Sequence, residues 1–168
     1  LSLHDALPIC EDARRGNWQG YPLLGTDDRM LISMTLRLAR HQLEAFGKDP
    51  ERYGMIHGDL SPSNIIVDGT NLQVIDFDDC GCGWYLYDLA WCLVNFLDDV
   101  KTHEAALLAG YEKVRRLTME EKRMFPLFVT LARISRLAWL ASHLDAGIEE
   151  PALRSHLSLT IQCCKAYL

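Results

Sequence analysis

Between His57 and Asp79 the chain reads HGDLSPSNIIVDGTNLQVIDFDD, with five Asp, two Asn and one His in 23 positions. So many oxygen donors around two short apolar runs can do chemistry only if the chain brings them together. Ile65-Ile66-Val67 and the run from Leu72 to Ile75 are mostly β-branched, and Asp68-Gly69-Thr70-Asn71 between them suits a tight turn. Pairing Val67 with Leu72 sets Ile66 against Gln73, Ile65 against Val74 and Asn64 opposite Ile75. Asn64 then precedes one strand, Asp76 follows the other, and neighbouring strands lie about 4.8 Å apart. An amide oxygen and a carboxylate at that separation suit Mg²⁺, which takes oxygen ligands and uses few protein groups beside waters and substrate phosphates. Asp59, on the loop entering the hairpin, can take a proton from, or orient, a hydroxyl that attacks a metal-held phosphate. The chemistry expected of this constellation is phosphoryl transfer.

The string His57-Gly58-Asp59-Leu60-Ser61-Pro62-Ser63-Asn64 resembles the HxDxxxxN catalytic loop of the aminoglycoside phosphotransferase and choline kinase superfamily. Ile75-Asp76-Phe77-Asp78 is similar to its metal-binding Asp motif, and Asp88-Leu89-Ala90 to the DLA that opens a buried helix there. Order, spacing and intervening hairpin agree over residues 57–90. The resemblance implies a protein-kinase-like fold with Asp59 as the catalytic Asp. It also implies Asn64 and Asp76 as Mg²⁺ ligands that bind ATP as co-substrate, with His57 and Asp88 supporting the loop.

Two departures narrow the acceptor. A protein kinase usually has Lys two residues after the catalytic Asp, whereas Ser61 stands here and favours a small-molecule acceptor. Asp78 replaces the Gly expected after Phe77, and DFDD resembles the bacterial stress-response kinase and homoserine-kinase-like branches. The family's N-terminal lobe should supply a phosphate-covering loop, a strand Lys and a helix Glu. No GxGxxG precedes residue 57, and Lys48 is the only Lys there. The chain, which begins at Leu1, is therefore expected to be the C-terminal lobe of a longer enzyme and inactive by itself.

The expected function is transfer of the γ-phosphate of ATP to a hydroxyl of a small molecule, a simple alcohol or amino alcohol bound among the helices after residue 84. A protein Ser/Thr kinase of stress-response type and a non-catalytic pseudokinase or binding module are the competing readings. A metal-dependent phosphohydrolase is disfavoured, because no second cluster of His or Asp ligands accompanies the first.

The elements that must position these residues form an α+β, mostly α arrangement: a helix, the small catalytic hairpin, then a helical bundle over residues 27–168. Residues 1–26 read as an irregular approach segment, and LSLHDALPI at 1–9 resembles translated sequencing-adapter sequence, a candidate non-native extension. Thr26 or Asp27 can cap a first helix carrying Met30, Leu31, Met34, Leu38 and Leu43 on one face and ending near Gly47. Residues 84–98 read as a buried helix and 102–116 as a more polar one. Thr118-Met119-Glu120-Glu121 is a capping box opening a long helix to about Asp145, closed by Gly147. Pro151 suits the first turn of a last helix.

Composition sets the remaining bounds. An apolar share of 49% over 168 residues can bury a core. A net charge of −6 argues against nucleic acid as a partner. No apolar run approaches the roughly 20 residues of a membrane span, and no secretory signal is visible, so a cytoplasmic location is expected. Cys10, Cys80, Cys82, Cys92, Cys163 and Cys164 contain no CxxC pair and are read as reduced thiols. Trp84, Tyr85, Tyr87, Trp91 and Phe96 are assigned to core packing rather than a substrate platform. Asp98, Asp99, Glu104, Glu149 and Glu150 are assigned to a solvated surface, and the oligomeric state is left open.

Overall fold

The computed structural model describes residues 16–168. The stretch 1–9, Cys10 and the approach segment as far as residue 15 therefore lie outside the described residues. The element order is α1 (Thr26–Phe46), β1 (Tyr53–Ile56), β2 (Ile65–Asp68), β3 (Asn71–Val74), β4 (Gly81–Trp84), α2 (Tyr85–Leu93), α3 (Val100–Tyr111), α4 (Met119–Ser142) and α5 (Glu150–Tyr167). Short 3₁₀ turns stand at Trp18–Gly20, Pro62–Asn64 and Leu144–Ala146. The chain divides into two compact units: the chain through Gly47 joined by Thr130–Leu168, and Lys48–Val129.

The Lys48–Val129 unit holds both small sheets. β2 and β3 pair antiparallel with Ile65 opposite Val74, Ile66 opposite Gln73 and Val67 opposite Leu72, across the Gly69-Thr70 turn. That register follows from turn chemistry and strand length, and it is the one expected from the sequence. The hairpin is not core, however: Ile66, Val67, Leu72, Val74, Ile75 and Phe77 are all exposed.

The second sheet, β1 with β4, was not expected, because Gly81-Cys82-Gly83 has poor strand propensity. Two of the sheet's glycines, Gly54 and Gly83, serve close approach instead. Gly54 and Gly83 face each other in the register. A Cβ at Gly54 would fall 2.3 Å from Tyr85 Oη, and one at Gly83 would fall 2.3 Å from Ile56 Cδ1. Backbone proximity is what the glycines supply here.

Trp84 is the N-cap of α2, and the helix stops at Leu93 rather than 98, with Val94 and Phe96 closing turns onto Trp91 and Leu93. α2 is buried around most of its circumference, through Leu86, Tyr87, Leu89, Ala90, Trp91 and Leu93. α3 also differs from the expected 102–116, starting at Val100 after the left-handed Asp99 and ending at Tyr111. Residues 112–116 instead form a turn held by Arg115, which donates to the Glu51 carbonyl and to Glu121 Oε1, each at 2.6 Å. The expected capping box opens α4: Glu121 N–H donates to Thr118 Oγ1 at 3.1 Å, and Thr118 N–H to Glu121 Oε2 at 2.9 Å. By length and composition α4 could cross a membrane, contrary to the sequence expectation, yet most of that window is buried inside the protein as a core helix.

In the other unit α1 packs against α5. Its N-cap is Gly25, not Thr26 or Asp27, because the Asp28 carboxylate reaches back to accept from Gly25 N–H at 3.0 Å. The buried stripe is Ile32, Leu36, Ala39, Leu43 and Phe46, while Met30 and Met34 of the expected stripe are exposed. Pro151 does stand in the first turn of α5, and Tyr21 Oη donates to the Leu153 carbonyl at 2.8 Å.

His156 on α5 is buried, and its burial, with the charges of Arg136 and Arg133 on α4, lowers its pKa to about 4. Its folded-state pKa lies below the unfolded value of about 6.5, so the stabilisation is complete above pH 6.5 and drains away as pH falls toward 4. The expected loss is of the order of 3 kcal/mol. Urea unfolding at pH 7 and pH 4.5 should show it, and His156→Gln should flatten the pH dependence.

Candidate active site

The loop between β1 and β2 carries His57, Asp59 and Asn64, and hydrogen bonds hold it from three directions. Gly58 permits the sharp turn, with φ at +82°, a region that side chains disfavour. From α2 the Asp88 carboxylate accepts His57 N–H at 2.7 Å and Gly58 N–H at 2.9 Å, one on each oxygen. Asp88 lies in the first turn of α2, where an acid is also favoured by the helix dipole.

His57 is buried, and its Nε2 sits 2.9 Å from the Ile75 carbonyl. A carbonyl only accepts, so Nε2 carries the proton and Nδ1 is left to accept from Asp59 N–H at 3.3 Å. Both ring nitrogens are thereby engaged: Nε2 ties the loop to the end of β3, and Nδ1 braces the loop at Asp59. The Phe77 ring packs against the same imidazole, with centroids 4.6 Å apart and planes tilted by 45°.

Asp59 is held by its side chain. Asn64 Nδ2 donates to Asp59 Oδ2 at 3.0 Å and to the Asp59 carbonyl at 2.9 Å. Trp91 Nε1–H of α2 donates to Asp59 Oδ1. Asn64 is buried at the end of the 3₁₀ turn, where Pro62 presets the first helical φ. With both amide hydrogens committed to Asp59, its remaining polar atom is the acceptor Oδ1.

The ladder runs one step past the assigned strands, because Ile75 N–H donates to the Asn64 carbonyl at 3.0 Å. Asn64 therefore stands opposite Ile75, and Asp76 follows directly. Asp76 is exposed and adopts φ of +64°, a conformation that Asp tolerates better than most residues but at some cost. That conformation turns the chain out of the ladder directly after Ile75. Ser61, at the position where a protein kinase has Lys, is buried, with its hydroxyl 2.6 Å from that of Ser63.

Mg²⁺ takes hard oxygen donors, and the Asn64 amide oxygen and the exposed Asp76 carboxylate are of that kind, on residues at neighbouring ends of the hairpin, without thiol or imidazole. Among the described residues no group of three or more His, Cys, Asp or Glu is placed to hold a metal, so the donor pair would leave most coordination positions to water or phosphate. Cys92, next to Trp91, is not a candidate nucleophile. Burial first, and the nearby Asp88 charge second, push its pKa up to about 11, which keeps the thiol protonated.

The five residues singled out in the sequence, His57, Asp59, Asn64, Asp76 and Asp88, thus lie on one loop, one strand end and one helix start of the same unit. Trp91 was missed, having been assigned to core packing. It is indeed buried, as are Trp84 and Tyr87, but its indole N–H points at the Asp59 carboxylate. Its position three residues after Asp88 was the available signal, since residues at i and i+3 share a helix face.

Comparison with known proteins agrees with this architecture. Residues 2–125 match the family model described as "Phosphotransferase enzyme family". The chain is 42% identical over 97 residues to a homoserine kinase of Chelativorans sp. (strain BNC1), covering 54% of this chain and 29% of that protein. It is 34% identical over 111 residues to a homoserine kinase of Neisseria meningitidis serogroup B, covering 62% and 35% respectively. The structure of a microcompartment-associated aminopropanol kinase superposes with a TM-score of 0.78 at 32% identity, over 96% of this chain and 51% of that one. The chain thus spans about a third of the curated relatives and half of the structural one. With its matched span, its kinase-like α+β architecture and its HxDxxxxN loop, the chain belongs to the phosphotransferase enzyme family.

Proposed function

We propose that the protein carrying this chain transfers the γ-phosphate of ATP, with Mg²⁺, to the hydroxyl of a small amino alcohol. The observation that carries this reading is the double hold on the loop: Asp88 fixes its backbone at His57 and Gly58, and Asn64 fixes the Asp59 carboxylate. A carboxylate held this way suits orientation of an acceptor hydroxyl more than free proton exchange. Asn64 Oδ1 and the Asp76 carboxylate would bind the metal. When bound, Mg²⁺ neutralises charge on the phosphate oxygens. His57, with both nitrogens engaged, serves as a brace rather than an acid or base.

The acceptor class draws on the similarity to a homoserine kinase and an aminopropanol kinase, since homoserine and aminopropanol each carry both an amine and a hydroxyl. The buried Ser61 supports the small-molecule reading as well. Among the described residues no strand carries a Lys, and the hairpin exposes Ile66, Val67, Leu72 and Phe77. We place the nucleotide-covering half of the enzyme outside this chain, over those exposed residues, and a cytoplasmic location fits the use of ATP. The test is a phosphate-transfer assay on the full-length polypeptide containing this chain, with labelled ATP, Mg²⁺ and a panel of amino alcohols. Phosphorylation of at least one of them is the expected outcome; ATP turnover that is indifferent to every hydroxyl acceptor would contradict it.

A further inference from the structure

We propose that Trp91 is a positioning residue for the transfer reaction: its indole N–H locks the Asp59 carboxylate in the orientation that receives the acceptor hydroxyl. This rests on the reading of Asp59 given above. The terminal torsion of an aspartate is broad and nearly two-fold, so a carboxylate held at one oxygen can still swing. Asp59 is held at both. Asn64 Nδ2 occupies Oδ2 at 3.0 Å and Trp91 Nε1 occupies Oδ1. The two donors come from different elements, the loop end and α2, so a rotation of the carboxylate pulls against two separately anchored bonds.

The donor itself is fixed. Trp91 is buried, and its ring stacks on Tyr87 with centroids 5.8 Å apart and planes 30° from parallel. Indole N–H donates and cannot accept, so it has no part as a proton relay; its contribution is orientation. Each Asp59 oxygen retains a lone pair beyond the one so engaged, which leaves room for a substrate hydroxyl.

Asp88 and Trp91 are one helical turn apart on α2. The same helix face therefore grips the loop twice, its backbone through Asp88 and its reactive side chain through Trp91. Any tilt of α2 would shift both together, so the helix transmits its own rigidity to the reacting group.

Two measurements test the proposal. In ¹H–¹⁵N spectra of this chain, the Trp91 indole signal is identified as the one lost in Trp91→Phe. It should lie downfield as a hydrogen-bonded donor and move upfield in Asp59→Ala. In the full-length polypeptide, Trp91→Phe should lower kcat roughly 10-fold, with KM for ATP and acceptor within about twofold, the pattern of a group that acts only in the transition state. An indole signal indifferent to Asp59→Ala would overturn the bond itself. So would the positioning role be overturned by Trp91→Phe protein that keeps a native spectrum and wild-type kcat. If the wild-type polypeptide moves no phosphate, the reading of Asp59 fails and the positioning role falls with it, while the indole signal still decides whether the bond exists.

Discussion

Asp59→Ala in the full-length polypeptide should reduce phosphate transfer by about 10³-fold, within the span that a positioned acid–base or orienting group contributes. The substitution removes the one carboxylate that both Asn64 and Trp91 address. Its effect on folding should be small by comparison, since Asp59 is only partly buried and makes no ion pair among those described. Thermal melting and circular dichroism separate the two effects. Turnover within tenfold of wild type, in protein that melts normally, would remove Asp59 from the chemistry and return the constellation to a set of turn residues.

Asp88→Ala should cost both activity and stability. It strips the acceptors from two backbone N–H groups, His57 and Gly58, in a buried stretch of loop. A buried donor left unpaired costs about 1–3 kcal/mol, so a loss of about 3 kcal/mol in unfolding free energy is expected for the pair. If Asp88 were merely an acid at a helix N-terminus, the loss would be only about 0.3–1 kcal/mol. Urea unfolding distinguishes the two, and hydrogen exchange locates the effect. Exchange at His57 and Gly58 should accelerate in Asp88→Ala, whereas a helix-dipole role would leave those two amides as protected as before.

The hairpin was legible because its determinants are local. Gly69 and its flanking Asp and Asn set the turn, the turn sets the register, and the register carries Asn64 opposite Ile75. The capping box at Thr118 and Glu121 was legible for the same reason, with donor and acceptor three residues apart. Where two solutions satisfy the same period, the sequence does not choose. α1 offers a stripe through Met30, Leu31, Met34 and Leu38 and another through Ile32, Leu36, Ala39 and Phe46; Leu43 was counted with the first and is buried with the second. Packing against α5 is a tertiary fact that periodicity alone does not contain.

β4 was illegible for a different reason. Its glycines are disfavoured in strands on average, and only the pairing shows that Ile56 fills the space a side chain at Gly83 would need, as Tyr85 does for Gly54 of β1. The end of α2 at Leu93 was hidden by apolar residues that continue past it. Trp91 shows the limit most clearly. An aromatic residue on a buried helix is usually core, and only the loop's path beneath α2 turns its N–H into a contact with Asp59.

On the proposed reading, Asn64 and Asp76 converge on one divalent cation beside Asp59. Titrating ¹⁵N-labelled chain with Mn²⁺ in the presence of ATP reads this directly, because paramagnetic broadening reports proximity even when binding is weak. Amide signals of Asn64, Ile65, Asp76 and Phe77 should broaden first, and Asp76→Ala should suppress the effect. Broadening centred instead on Asp98 and Asp99, or unchanged by Asp76→Ala, would contradict it.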